Sequence, residues 1–249
     1  MPVEVATDGP RLFGRYAYAP NQLGYCGPAD GAALRDGSED EIRAVARRFS
    51  GVWPYLRVLS RMTGIADPLD HRLVESYWLG GGVGDRLDSA EFYAELLAVI
   101  GPQAGHYWTH LTPELAEEAA GNHCFHVFGV YPWSRLLGKG MGEHPIRILD
   151  SCRITPAEVL ARDRDRIEVR TRTLTWDGRC LSLSEPWARE IAVFVDGHSA
   201  LPDVAAGDHI ALHWDRICGP LDAAQVHTLD ESTKRQLLLT NRRLAVPSE

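Results

Sequence analysis

The residues able to do chemistry in this chain are its five cysteines, Cys26, Cys124, Cys152, Cys180 and Cys218, and its ten histidines. No two cysteines form a CxxC pair, and an odd count in a chain without a disulfide pattern points to free thiols that can serve as ligands or nucleophiles. Cys26 lies in NQLGYCGP, where Gly24, Gly27 and Pro28 impose irregular backbone able to turn a side chain into a pocket. The competing reading is a buried thiol acting as a small hydrophobe. Cys124 and His126 stand two apart in HCFHVFGVYPW. This aromatic and β-branched run reads as a buried strand, with both residues on one face as a possible ligand pair. Two ligands alone make no metal site, and strand-face packing is the favoured account of the pair. His106 and His110 share a helix face by spacing, but no acid stands between them as a zinc hydrolase needs, so they read as ordinary polar histidines. Two alternatives stand beside a metal role: a non-catalytic scaffold, and a thiol–imidazole enzyme acting on a small molecule. In the enzyme Cys26, Cys124 or Cys152 is activated by His126 or His213, with Asp150 or Asp215 orienting the ring.

The scaffold must position such groups within 249 residues, enough for one large domain or two modest ones. Lys and Arg total 26 against 34 acids, a net of −8, which disfavours nucleic acid and anionic membrane as partners. No apolar run approaches the ~20 residues that span a bilayer, and MPVEVATDGP lacks the basic and apolar regions of a signal peptide. Cytoplasmic residence is the expectation.

Residues 1–10 read as a loose tail. Helical signals begin at Ser38, which with Glu41 spells a capping box ahead of Ile42, Val45, Ala46 and Phe49. Trp53–Met62 reads as a second helix and Asp67-Pro68 as the start of a third, through Leu73, Val74 and Tyr77. GGGVGD at 80–85 lacks the Lys and hydroxyl of a phosphate loop, so it reads as a connection. Asp88 and Glu91 open a helix carrying Phe92, Leu96 and Ile100, and Thr112-Pro113 opens a short fifth. These helices define an expected N-terminal domain, 11–121, ahead of a β-rich domain, 122–249. In the latter, 134–145 reads as a glycine-rich loop and PIRILDSCRI as a strand.

From about Leu149 to Asn241 the pattern changes again. Arg166–Thr173 alternates, with Ile167, Val169, Thr171 and Thr173 on one side. Asp177-Gly178 signals a tight hairpin to Arg179–Leu183, and Gly207-Asp208 launches a strand over His209–Trp214. Asp222 then caps a helix with Val226, Leu229, Thr233 and Leu237 at helical spacing. Thr155-Pro156-Ala157-Glu158 also spells a helix start, but its place in this series favours a strand.

These pieces, in order, resemble the HypC/HupF family of small chaperones for nickel–iron hydrogenases. The likeness rests on Cys152 and Pro156, Asp177-Gly178 with Arg179 and Leu183, Gly207-Asp208, His213, Leu221-Asp222, and the helix with Ala224 and Thr228. It covers roughly the last 95 residues. Three positions depart from the family pattern: Cys152 is internal rather than at the chain start, Ala157 replaces a glycine after the proline, and Asp215 replaces one after the histidine. The whole chain also looks like a bacterial family associated with hydrogenases.

The resemblance implies an α+β protein, a helical bundle followed by a small OB-like β-barrel with a C-terminal helix. It implies an accessory protein of hydrogenase maturation rather than an enzyme. In that role Cys152 and His213 bind iron as a transient iron–cyanide–carbonyl unit, with the hydrogenase large subunit or other maturation proteins as partners. A thiolate and a neutral imidazole suit low-spin iron better than magnesium or calcium.

Overall fold

The computed structural model describes residues 8–104 and 111–245. His106 and His110 therefore lie outside the described residues. So do the first seven residues.

Helix α1 (Gly9–Gln22) starts where Asp8 accepts from the backbone of Arg11 and ends in a loop over 23–32. The segment is helical because Phe13, Tyr16, Ala17 and Pro20 recur on one buried face, and the irregular backbone expected around Cys26 begins only after it. A four-residue turn, α2 (Ala33–Asp36), precedes α3 (Glu39–Ala46), whose Ser38/Glu41 capping box forms as expected. The helix expected over 53–62 is α4 (Trp53–Thr63), stopped by left-handed Gly64. The third expected helix begins later than Asp67-Pro68, at α5 (His71–Leu79), because Asp70 and not Asp67 caps it. Helix α6 (Ser89–Ala104) follows its Asp88 cap. The fifth helix expected at Pro113 is only a 3-10 turn, Pro113–Glu117, because the Thr112 side chain bonds the Glu114 carboxylate and does not cap the backbone.

Two expected strands are helices. The run 122–133 forms α7 (His123–Phe125), which continues into a π turn, His126–Val130, and a 3-10 turn, Pro132–Leu136. Asn122 starts it by accepting from Phe125 N–H at 3.1 Å, which offsets the β preference of the apolar run. PIRILDSC forms α8 (His144–Cys152), with Pro145 in its first turn and Ile148, Leu149 and Cys152 on the buried side.

The chain then enters an antiparallel sheet at β1 (Thr155–Asp163), so the Thr155-Pro156 segment is a strand. The strand β2 (Arg166–Thr171) pairs with β1 and with β5 (Trp187–Ala192). A separate short ribbon joins β3 (Leu174–Trp176) to β4 (Leu181–Leu183). The Asp177-Gly178 hairpin thus closes β3–β4, and its loop is four residues long because Asp177 accepts from both Arg179 and Cys180 N–H at 2.8 Å. β6 (His209–His213) and β7 (Arg216–Pro220) complete the larger sheet, ordered β5-β2-β1-β6-β7. This is a mixed helix-and-sheet fold. Among the described residues the sheet does not close into a barrel, since β5 and β7 remain its edges.

Helix α9 (Ala223–Leu244) closes the fold from its Asp222–Gln225 capping box, burying Leu229, Thr233 and Leu237. Residues from both halves of the chain share one apolar core. Phe13, Tyr77 and Phe125 pack with Ile154, Ala211 and Leu229, while a second cluster of Val159, Ile167, Val169 and Ile210 lies within the sheet. Among the described residues, no helix is long and apolar enough to cross a membrane.

The far end of α9 is held by a buried charge. Glu118 receives Arg243 as an ion pair, Gln236 Nε2 at 3.1 Å and Thr240 Oγ1 at 3.0 Å. Breaking such a pair strands a charge in the core and costs about 3–5 kcal/mol. Replacing Arg243 with Ala should therefore lower unfolding free energy by about that much in urea titration. A loss under 1 kcal/mol, the value of an exposed pair, would show the network to be dispensable.

Candidate metal centre

Three chain segments distant in sequence deliver His123, Cys152 and His213 to one place. One ligand atom from each lies within 4.8 Å of the others, and all three side chains are buried. Cys152 and His213, the pair expected from sequence, are thus brought together; His123 was missed. The signal for it was Asn122, whose capping role makes 123–126 one helical turn with His123 and His126 on a common face.

Each segment is held by identifiable bonds. His213 ends β6, and the two-residue turn Trp214-Asp215 leads to β7 with His213 paired to Arg216. Both turn residues have positive φ, 53° and 56°. A primed turn demands this, but glycine or asparagine meets it more cheaply, and non-glycine residues there cost of order 1 kcal/mol each. Trp214 N–H donates to Ser151 O at 2.9 Å, fastening the turn to the end of α8 beside Cys152. The Trp214 ring stacks on Tyr25 with centroids 4.0 Å apart, and its indole lies against the Cys152 thiol.

Hydrogen bonds set the histidine tautomers. His213 Nδ1 lies 2.7 Å from Tyr16 O of α1, and a carbonyl only accepts, so Nδ1 carries the proton. Nε2 is then a bare lone pair, and it makes no hydrogen bond although it is buried. This is the pattern of a metal-binding histidine oriented through its other nitrogen. By the same logic His123 Nε2 donates to Cys152 O at 2.9 Å, and Tyr77 Oη donates to Nδ1 at 3.1 Å, so His123 can take a metal only through Nδ1 and only once the Tyr77 hydroxyl turns away. Trp78 closes the wall, its ring centroid 4.8 Å from that of His123 and 5.8 Å from that of His213.

The electrostatics favour neutral, metal-ready groups. Burial lowers the pKa of His123 well below its ordinary value, with His213 and His126 adding to the effect. Burial also lowers His126 to about 4, and His213 to about 4 against the pull of the Tyr16 and Cys152 carbonyls. The Cys152 thiol is pushed far up by burial and by the neighbouring Cys26, so it stays protonated without a cation to compensate a thiolate. One sulfur and two imidazoles fit a borderline-to-soft metal such as zinc or iron. Bonds of roughly 2.0–2.3 Å would require the triad to contract by about an ångström. Three protein ligands leave a coordination position for a further ligand.

The other candidates divide. Cys26 and His126 lie beside the centre: the His126 ring stacks on that of His123 at 25° with centroids 5.8 Å apart. Cys124 turns away to Thr233 of α9, Sγ to Oγ1 3.7 Å. Asp150 pairs with Arg153 and Asp215 with Arg189, so neither orients an imidazole as the thiol-enzyme alternative requires.

The profile of a family described only as of unknown function, DUF6390, matches residues 5–247. The chain belongs to the DUF6390 family. No curated protein and no solved structure matches it. The match spans helices and sheet together, so the centre lies wholly within the segment that defines this family.

The histidines set an acid limit on the metal-free protein. Unfolded histidine titrates near 6.5, whereas His126 and His213 titrate at about 4 in the fold. Below pH 6.5 the unfolded chain takes up protons that the folded one refuses. Stability, complete above that pH, should fall towards pH 4 by about 1.4 kcal/mol per unit for each histidine. Thermal melts after chelator treatment should show a marked decline from pH 7 to pH 5; a flat profile would place these rings in contact with solvent.

Proposed function

We propose that this protein is an accessory protein of nickel–iron hydrogenase maturation, working in the cytoplasm. On this reading it holds the iron–cyanide–carbonyl unit, its cargo, or docks the large-subunit precursor that receives it. The observation that carries the proposal is the meeting of Cys152 and His213, the two residues singled out by the HypC/HupF resemblance, at one buried centre. The open antiparallel sheet with its closing helix α9 is then the counterpart of that family's OB-like barrel.

The chain's own residues have distinct tasks on this reading. Cys152 loses its proton on binding and supplies the thiolate, so uptake releases a proton and weakens in acid. His213 presents Nε2, held in register by Tyr16 O, and His123 supplies the second imidazole. Trp78 and Tyr77 exclude water from the cargo. Since the centre is enclosed, exchange requires the Tyr25–Trp214 stack to part.

Affinity purification from a hydrogen-oxidising cell tests this, with infrared spectra of the eluate and identification of bound proteins. Expected are cyanide and carbonyl stretches, a hydrogenase large-subunit precursor, or both, and their loss with Cys152→Ala. Absence of both from the wild-type protein would end the maturation reading.

A further inference from the structure

His126 poses a separate question. It is 2% exposed, and neither ring nitrogen has a hydrogen-bond partner. A neutral imidazole carries one N–H and one lone pair, and leaving both unmet in a core forfeits hydrogen bonds that water would have supplied. The ring is clamped by Tyr131 at 4.4 Å and Tyr55 at 5.4 Å between centroids, so it cannot swing to a partner elsewhere.

A soft donor, Cys26, borders the same glycine, Gly51, as His126. Its loop is pinned by Asn21, whose Nδ2 donates to Cys26 O at 2.9 Å and Pro28 O at 2.7 Å. Gly27 permits the turn at φ +83°, where a Cβ would strike the Phe49 ring. The thiol is bonded by the Tyr131 hydroxyl. Gly51 faces both donors: a Cβ there would come within 3.1 Å of His126 Nε2 and 3.9 Å of Cys26 Sγ. The missing side chain leaves room beside a thiol and an imidazole at once, the thiol itself being bonded by the phenol of Tyr131.

We propose that Cys26 and His126, with the Tyr131 hydroxyl as third donor, form a second metal position next to the His123–Cys152–His213 centre. The donor types select a borderline-to-soft divalent ion such as zinc, cobalt or ferrous iron. On binding, Cys26 gives up its thiol proton, and His126 Nε2 or Nδ1 gains the partner it lacks. The two positions are neighbours, as the stacked rings of His123 and His126 require. The inference rests on the first centre binding metal, and not on what that metal is for.

Anaerobic titration with cobalt(II) tests it, read by the sulfur-to-cobalt charge-transfer band and by metal analysis after desalting. The wild-type chain should saturate at two equivalents, each contributing one thiolate. Cys26→Ser should saturate at one with half the band, and His126→Gln should weaken only one equivalent, at least tenfold. Cys152→Ser should lose the other equivalent and keep the Cys26 band. Should His126→Gln fail to fold, Cys26→Ser, at a partly exposed loop position, carries the test. One equivalent indifferent to Cys26→Ser overturns the second position and leaves the first standing. One equivalent whose band Cys26→Ser halves also overturns it, since both thiols then share one ion. No uptake at all removes both centres.

Discussion

The structure depends on one short contact, the Nδ1–H of His213 donating to the carbonyl of Tyr16. It joins the end of β6 to the middle of α1 across almost the whole chain. It also decides a chemical question, because fixing the proton on Nδ1 leaves Nε2 as a buried lone pair with no hydrogen-bond donor from the protein. Beside it, Trp214 N–H grips Ser151 O, so the strand that carries His213 and the helix that carries Cys152 cannot drift apart. The positive φ angles at Trp214 and Asp215 are the local cost of that grip.

Apolar packing alone does not account for what surrounds this contact. A core built only for stability would not keep His123, His126, His213, Cys152 and Tyr77 within one enclosed region and leave several of their polar atoms unmet. Removing water does make such groups available as ligands, since neutral imidazoles bind a cation without first shedding a proton or solvent, while the thiol exchanges its proton for the metal. Stability and binding therefore pull in opposite directions here, and a bound cation reconciles them by supplying the missing partners.

Much of the scaffold could be read from the sequence, where caps and apolar periods agree. Ser38 with Glu41, Asp88 with Glu91, and Asp222 before Val226, Leu229 and Leu237 each mark a helix that forms. Alternation marks β2, and the turn before β6 was plain in Gly207-Asp208. Readings failed where apolar residues lose their period. The uniform run from Cys124 to Val130 fits strand and helix alike, and Ile146 and Ile148 in α8 mimic alternation. The pairing of Cys152 with His213 was legible only through an ordered set of motifs. His123 was hidden because its place depends on Asn122 capping a helix that was read as a strand. Barrel closure could not be inferred from strand patterns, which say nothing of whether β5 meets β7.

The central claim is that Cys152, His123 and His213 bind one metal together. X-ray absorption at the metal edge, on Cys26→Ser protein loaded with a single equivalent of cobalt or zinc, examines that coordination sphere directly. The account predicts one sulfur near 2.3 Å and at least two imidazole nitrogens near 2.0–2.1 Å, as such ligands take in known zinc sites. A shell of nitrogen and oxygen alone, with no sulfur, would contradict it.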